Sequence, residues 1–124
     1  MITGAIESGL YPRIPVDIVA SAGNFKMKML VDTGFDSDLA MHYDDADRLG
    51  LELKGYVEVE YASGEKEEEI YCRGKIDWFG TIKDVRIILS NDEESALGTR
   101  LLKGCVMTMN FIANTLTIDK PQSQ

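Results

Sequence analysis

Residues 30–40, LVDTGFDSDLA, place a carboxylate directly after an apolar run. Aspartate forms strands poorly and is costly to bury alone, so Asp32 needs a reason for its position at the end of a buried strand. Asp32, Thr33 and Gly34 all favour turns, and one interpretation is an ordinary turn stabilised by the aspartate side chain. The other interpretation is a reactive site.

Carboxyl groups can hydrolyse a peptide bond when two of them act together. One ionised group takes a proton from water while a protonated one polarises the scissile carbonyl. Two carboxyls held close together share one proton, because like charges repel, and the pKa values then belong to the pair. The chain has a single Asp-Thr-Gly, so a pair of such aspartates would need a second copy, which a two-fold axis would supply.

A metal site is a different interpretation of the same aspartates. Asp32, Asp36 and Asp38 are close in sequence, as ligands of a hard cation often are. A calcium-loop pattern that starts at Asp32 fails, however, because Ser37 stands where its glycine should be and Tyr43 where its glutamate should be. No metal is therefore expected.

The remaining metal-binding and nucleophilic residue types are few. His42 is the one histidine, and a surface or packing role is expected for it. Cys72 and Cys105 lack a Cys-x-x-Cys spacing and are expected to be small buried hydrophobic residues. No cofactor is expected either.

Short alternating runs separated by turn residues predict the elements that position Asp32. This pattern is typical of an all-β domain. The predicted strands are residues 14–20, 25–31, 56–61, 66–77, 82–89, 106–109 and 115–118. Helix is predicted only for residues 44–49, with Asp44 or Asp45 as the cap, and for a turn at residues 99–103.

Length and charge narrow the class of protein. A chain of 124 residues suits one domain, and its net charge of −8 disfavours nucleic acid or an anionic membrane as partner. No run approaches the length of a membrane span, and the first residues lack the form of a signal peptide. We therefore expect a cytoplasmic protein.

Three landmarks in order resemble the retroviral-type aspartic proteases, particularly their small prokaryotic relatives. They are LVDTG at residues 30–34, the hairpin glycine Gly64, and ALG at residues 96–98 ahead of two leucines. The resemblance implies an all-β, retropepsin-like closed barrel with a flap hairpin and one or two short helices. It implies a single domain over residues 1–124, with residues 1–12 and 120–124 as terminal arms. It also implies a homodimeric aspartic endopeptidase acting on peptides or proteins.

The resemblance also assigns roles to residues. Asp32 would be catalytic, with Thr33 hydrogen bonding across the two-fold axis and Gly34 leaving room for the substrate backbone. The residues implied in substrate binding are Phe35, Asp36, Ser63, Gly64 and Leu97, and those implied in structural support are Gly98 and Arg100. An ion pair between Asp36 and Arg100 stays open, and Ser37 departs from the glycine that is more common in the family.

Two further alternatives stay open. The same fold can serve as a peptide-binding or dimerisation module without proteolysis. The acidic run at residues 65–69 could favour basic peptides if it lies on the flap, or it could be a solvated strand face that protects an edge.

Overall fold

Strands dominate the computed structural model of the protein, which describes residues 1–121. The strands are β1 (Ile2–Glu7), β2 (Tyr11–Ala20), β3 (Gly23–Val31), β4 (Leu39–His42), β5 (Leu53–Glu60), β6 (Lys66–Trp78), β7 (Thr81–Ser90), β8 (Ala96–Leu97), β9 (Val106–Asn110) and β10 (Thr115–Asp119). The helices are α1 (Tyr43–Arg48) and α2 (Thr99–Leu102). The predicted all-β class with one or two short helices is confirmed.

Six strands close into a ring. Strand β2 pairs with β3 along one edge and with β6 along the other, and the ring runs β2-β3-β8-β4-β7-β6. Residues at alternate positions point inward, as Ile14, Val16 and Ile18 of β2 show by their near-complete burial. Each such side chain contributes about 1.5–3 kcal/mol when it is fully buried.

Two strands of the ring carry the chain to the candidate site. Strands β3 and β8 run parallel, with Leu30 opposite Ala96 and Val31 opposite Leu97. Their carboxyl ends therefore lie side by side at one end of the ring. This end holds Asp32 after β3 and Gly98 after β8.

The N-terminal residues form part of the sheet rather than a free arm. Strand β1 pairs with β10, with Ile2 opposite Ile118, and its other end pairs with β2. Pairing with a strand more than a hundred residues away fixes this segment, which the local sequence pattern did not reveal. Of the second expected arm, residues 122–124 lie outside the described part of the chain.

Helix α1 begins one residue earlier than predicted, and its cap is different. The Nδ1 atom of His42 accepts a hydrogen bond from the Asp44 N–H at 3.0 Å, so His42 is the N-cap. The expectation of an aspartate cap was wrong because an unprotonated imidazole nitrogen also accepts a backbone N–H. Neither α1 nor α2, the helices of residues 1–121, is long and apolar enough to cross a membrane.

Candidate active site

Asp32 is presented to solvent at the end of β3. Its backbone N–H donates to the Leu97 carbonyl at 2.9 Å, and two residues earlier the Leu30 N–H donates to the Ser95 carbonyl at 2.8 Å. The side chain of Asp32 is exposed. The pairing with β8 therefore fixes the backbone of Asp32 while its carboxylate stays accessible.

The loop after Asp32 is a tight turn that orients the carboxylate. The Gly34 N–H donates to Asp32 Oδ1 at 2.9 Å, and the Phe35 N–H donates to the Asp32 carbonyl at 3.2 Å. The first of these bonds is the side-chain contact of the turn interpretation. The two interpretations of Asp32, a turn residue and a reactive residue, are compatible. The bond from the Gly34 N–H stabilises the turn and also holds the carboxylate in one orientation.

Gly34 lies against the turn between β5 and β6. A β-carbon placed on Gly34 would lie 2.7 Å from Cβ of Ala62 and 3.3 Å from Asp32 Oδ1. No ordinary side chain fits in that space, so glycine is required here by the approach of Ala62. Thr33, beside it, is exposed.

Two residues that we expected in substrate binding have buried side chains. Phe35 is 5% exposed and packs with Val59 and Ile88, and Leu97 is fully buried in the main core. In this structure both side chains support the loop of Asp32 from within. This differs from the expectation that they contact a substrate.

A set of hydrogen bonds, most of them between backbone groups, joins the loop of residues 35–38 to residues 98–100. The Thr99 N–H and hydroxyl both donate to the Phe35 carbonyl, at 2.8 and 3.2 Å. The Gly98 N–H donates to the Asp38 carbonyl at 2.9 Å, and the Arg100 N–H donates to the Ser37 carbonyl at 3.3 Å. These bonds tie the segment after Asp32 to the start of α2.

Gly98 lies where the loop of residues 35–38 contacts the start of α2. A β-carbon on Gly98 would lie 2.5 Å from the Phe35 carbonyl oxygen and 2.8 Å from Phe35 Cδ2. Backbone atoms cannot move aside as a flexible side chain can. Gly98 therefore lies where a β-carbon has no room.

Asp38 has a structural role that sequence reasoning missed. Its side chain is 7% exposed, and its Oδ2 atom accepts the Arg86 N–H of β7 at 2.9 Å. It thus points into the protein while Asp32 and Asp36 are exposed. Residues 1–121 contain no group of three side chains that could hold a metal ion.

The open question of an Asp36–Arg100 ion pair is answered by the side-chain positions. Both residues line one cavity of about 380 Å³ with Thr99 and Lys103. The ion pairs formed by residues 1–121 do not include Asp36 with Arg100 within 4.0 Å. Arg100 contacts the loop through its backbone N–H instead.

The hairpin of β5 and β6 places its turn against Gly34 of the Asp-Thr-Gly loop. The Tyr61 N–H donates to the Glu65 carbonyl at 2.9 Å, and the Gly64 N–H donates to the Tyr61 carbonyl at 2.9 Å. Gly64 has φ +87°, a conformation that favours glycine. The turn places Ala62 against Gly34, as a flap over the site would.

An acidic cavity of about 520 Å³ lies beside this turn. Its lining consists of hairpin residues and residues near the ends of β4 and β7: Tyr43, Tyr61, Ser63, Glu65, Glu67, Glu69, Leu89, Ser90, Asn91 and Asp92. The Tyr61 hydroxyl donates to Glu69 Oε1 at 2.6 Å. Desolvation, followed by this bond to Glu69, raises the pKa of Tyr61. Ser63, expected in substrate binding, therefore lines an open cavity.

Arg13 of β2 bonds to Glu94 in the loop between β7 and β8. Its guanidinium donates to Glu7 at 2.8 Å and to Glu94, and Lys28 donates to Glu7 at 3.2 Å. The hydrogen bond from Lys28, followed by that from Arg13, lowers the pKa of Glu7. Arg13 thus joins the end of β1 to the loop that precedes β8.

Sequence reasoning predicted a site at Asp32, Thr33 and Gly34 but did not identify the residues that contact this loop or its surroundings. Ala62, Asp38 and Thr99 have no sequence signature, because each acts through a contact with a distant segment. Only the position of Thr99 directly after Gly98 indicated a helix start at that point.

The architecture is similar to that of a solved structure. The EIAV protease complexed with the inhibitor HBY-793 superimposes with a TM-score of 0.60, at 18% sequence identity, over 78% of this chain and 89% of the other chain. No protein-family model and no curated protein sequence matches the chain. At this low identity the structural match establishes the fold alone, and the chain has the fold of a retroviral protease.

Proposed function

We propose that the protein is a homodimeric aspartic endopeptidase in which the Asp32 carboxylates of two chains activate a water molecule. The observation that carries the proposal is the exposed carboxylate of Asp32, fixed by the Gly34 N–H at 2.9 Å, with the hairpin turn between β5 and β6 against the adjacent Gly34. The similarity in fold to EIAV protease supports it.

The chemistry requires a second carboxyl beside the first. One Asp32 would be ionised and would take a proton from water, and the other would be protonated and would polarise the scissile carbonyl. The equivalent position after β8 holds Gly98, which has no acid. The second group therefore comes from a second chain, placed by a two-fold axis.

The surroundings of Asp32 have separable roles in this proposal. Thr33 is exposed beside Asp32 and would hydrogen bond across the axis. The hairpin turn with Ser63 and Gly64 would close over an extended peptide and exclude water. Phe35, Leu97 and Gly98 would act as supports, since the first two side chains are buried and the third is enclosed by backbone.

Replacement of the carboxylate tests the proposal directly. Asp32→Asn keeps the shape and the Oδ1 acceptor but removes the acid–base group, so cleavage of a fluorogenic random-sequence peptide mixture should fall by about 10²- to 10⁴-fold. Circular dichroism and sedimentation should not change. Asp84→Asn, at an exposed aspartate of β7, is the matched control and should cleave as the wild type does.

The same measurement separates the enzyme from a module that only binds. If wild type and Asp32→Asn bind the peptides equally and neither cleaves them, the protein is a binding module. Equal cleavage by the two proteins would show that Asp32 is not catalytic.

A further inference from the structure

The first half of strand β7 borders a cavity at the turn between β6 and β7. Strand β4 pairs with β7 only at residues 87–90, so within the described chain residues 81–85 pair with β6 alone and keep one edge unpaired. A cavity of about 640 Å³ lies against these residues. Its lining includes Thr81, Ile82, Lys83 and Lys120. None of these residues belongs to the candidate active site, so the cavity is a separate feature of the molecule.

Aromatic and aliphatic side chains form the apolar part of the cavity. Trp78 ends β6 and is almost fully buried, and the partly buried Phe79 packs edge-on against it, with 5.1 Å between the ring centroids. Both residues line the cavity together with Ile82, which is 55% exposed. Sites for small molecules are usually concave and largely apolar, with a few polar groups that fix the orientation of the ligand. These three side chains supply such an apolar wall.

Phe79 occupies a backbone position that favours other residue types. Phe79 has φ +55° and Gly80 has φ +82°, and the flanking Trp78 and Thr81 are paired, so this is a two-residue hairpin turn with two positive φ angles. Such turns favour asparagine, aspartate or glycine at the first position, because a bulky side chain is strained there. The Gly80 N–H donates to Asp77 Oδ1 at 2.9 Å, which orders the turn. Strained residues concentrate at ligand-binding sites, and the strain at Phe79 therefore indicates a role for its ring.

Two lysines give the cavity a positive charge in an acidic protein. Lys83 belongs to β7, and Lys120 directly follows β10. Neither has a carboxylate within 4.0 Å among residues 1–121. Of the described residues that line the cavity, none is acidic. The two ammonium groups are therefore available to a ligand.

The lysines and the aromatic rings border the same space. Thr81 stands opposite Trp78 in the pairing of β6 with β7, and Lys83, two residues further along, shares the face of Thr81. Burial raises the pKa of Cys105, and the charges of Lys120 and Lys83 act in the opposite direction. A charge has this effect only at short range, so both ammonium groups lie near the same thiol. The cavity thus combines two neighbouring cations with an apolar wall.

We propose that this cavity binds a medium-chain carboxylate, a ligand with an anionic head and a flexible apolar tail. The carboxylate binds between Lys83 and Lys120, because each ammonium group donates charge-assisted hydrogen bonds to it. The tail packs against Phe79 and Ile82, where it removes apolar surface from water. A cationic ligand is repelled by the lysines, and the surface of an anionic membrane is repelled by the net charge of −8. The inference does not depend on the proposed function.

Three matched probes test the chemical class of the ligand. Octanoate has both the charge and the tail, octanol has the tail alone, and acetate has the charge alone. Isothermal titration calorimetry should show octanol and acetate binding at least about 10-fold more weakly than octanoate. Trp78 is the one tryptophan of the chain, so its fluorescence also reports a ligand in the cavity. Octanol that binds as tightly as octanoate would overturn the anionic part of the proposal.

Removal of each positive charge tests the two lysines. Lys83→Gln and Lys120→Gln should each weaken octanoate binding about 2- to 5-fold, as expected for ion pairs at exposed side chains, and the double variant about 10-fold. Lys75→Gln is the matched control, because Lys75 is an exposed lysine of β6 that does not line the cavity. It should bind octanoate as the wild type does. Unchanged affinity in the double variant would overturn the site.

Replacement of Phe79 separates its ring from the turn that it occupies. Asparagine suits the positive φ, so Phe79→Asn should keep the turn but weaken octanoate binding at least about 5-fold, since the tail loses an apolar contact. Circular dichroism checks that each variant is folded. Asp32→Asn should bind octanoate as the wild type does, because Asp32 is outside the cavity. Wild-type protein that fails to bind octanoate at millimolar concentrations would overturn the inference and leave the proposed function intact.

Discussion

Gly34 and Ala62 are in direct contact, because a β-carbon on Gly34 would lie 2.7 Å from Cβ of Ala62. The hairpin turn of a single chain therefore already touches the loop that carries Asp32. Ala62 precedes Ser63 and Gly64 in the same turn, so a shift of Ala62 would move that turn relative to the Asp32 loop.

Substitution of Gly34 should therefore displace the hairpin turn. We expect Gly34→Ala to reduce peptide cleavage by about 10- to 100-fold, because a shift of the turn misplaces the groups that position a substrate. Ala62→Gly removes the opposing β-carbon and should restore most of the activity in the double variant. Steady-state cleavage rates of the three proteins measure this, and a double variant as slow as Gly34→Ala would show that the contact is not the cause.

Gly98 should be less tolerant of substitution than Gly64. Gly98→Ala forces a β-carbon against the Phe35 carbonyl and ring and should lower the free energy of unfolding by about 1–3 kcal/mol or more. A β-carbon on Gly64 meets nothing within 4 Å, so Gly64→Ala should cost only the strain of its positive φ, about 1–2 kcal/mol. Urea unfolding of both variants gives the comparison. An equal loss of unfolding free energy in the two would contradict the close contact between Gly98 and Phe35.

Glu7 should contribute to stability only above acidic pH. Its bonds to Lys28 and Arg13 lower its pKa from 4.5 in the folded chain, so the folded state favours the ionised carboxylate. This stabilisation is present above about pH 4.5 and is lost as the pH falls through the lowered folded value. Glu7→Gln should therefore flatten the dependence of unfolding free energy on pH in that acidic range.

Urea unfolding at several pH values between neutrality and strong acid measures the effect of Glu7. Glu60→Gln is the control, since Glu60 is exposed on β5 and forms no ion pair within 4.0 Å among residues 1–121. An unchanged acid profile in Glu7→Gln would show that the bonds of Glu7 to Arg13 and Lys28 do not stabilise the fold.

The two thiols should differ in reactivity. Burial raises the pKa of Cys72 to about 11, and its side chain is fully buried; burial also raises the pKa of Cys105, which is only partly buried. At pH 8 a thiol reagent should react slowly with Cys105 and with Cys72 only after unfolding. Cys105→Ser should then leave a folded protein that resists labelling, and rapid labelling of that variant would contradict the burial of Cys72.

The longer strands could be predicted because each has its own alternating pattern. Strands β2, β3, β6 and β7 match the predicted runs, with differences at their ends. Strand β1 was missed because its pairing with β10 determines it, and β4 was missed because four residues between β7 and β8 carry too little pattern. Partners distant in sequence thus determine what local patterns could not show.

In the candidate site, too, some features could be predicted from local sequence and others depend on distant segments. The motif predicted a role for Asp32 and Gly34, since the residue types themselves indicate chemistry. The packing of Ala62, the inward direction of Asp38 and the separation of Asp36 from Arg100 depend on where folded segments meet. Side-chain directions of this kind cannot be derived from spacing along the chain.

The loop after β8 carries Gly98 where the loop after β3 carries Asp32, so each chain holds half of the proposed dyad. Because each chain supplies only one carboxyl, a mutation in one gene copy would also affect the product of an intact copy. A gene copy encoding Asp32→Asn would yield subunits that still associate with intact ones, and every mixed pair would have a single carboxylate. The defective copy would then interfere dominantly, by removing intact subunits into inactive pairs.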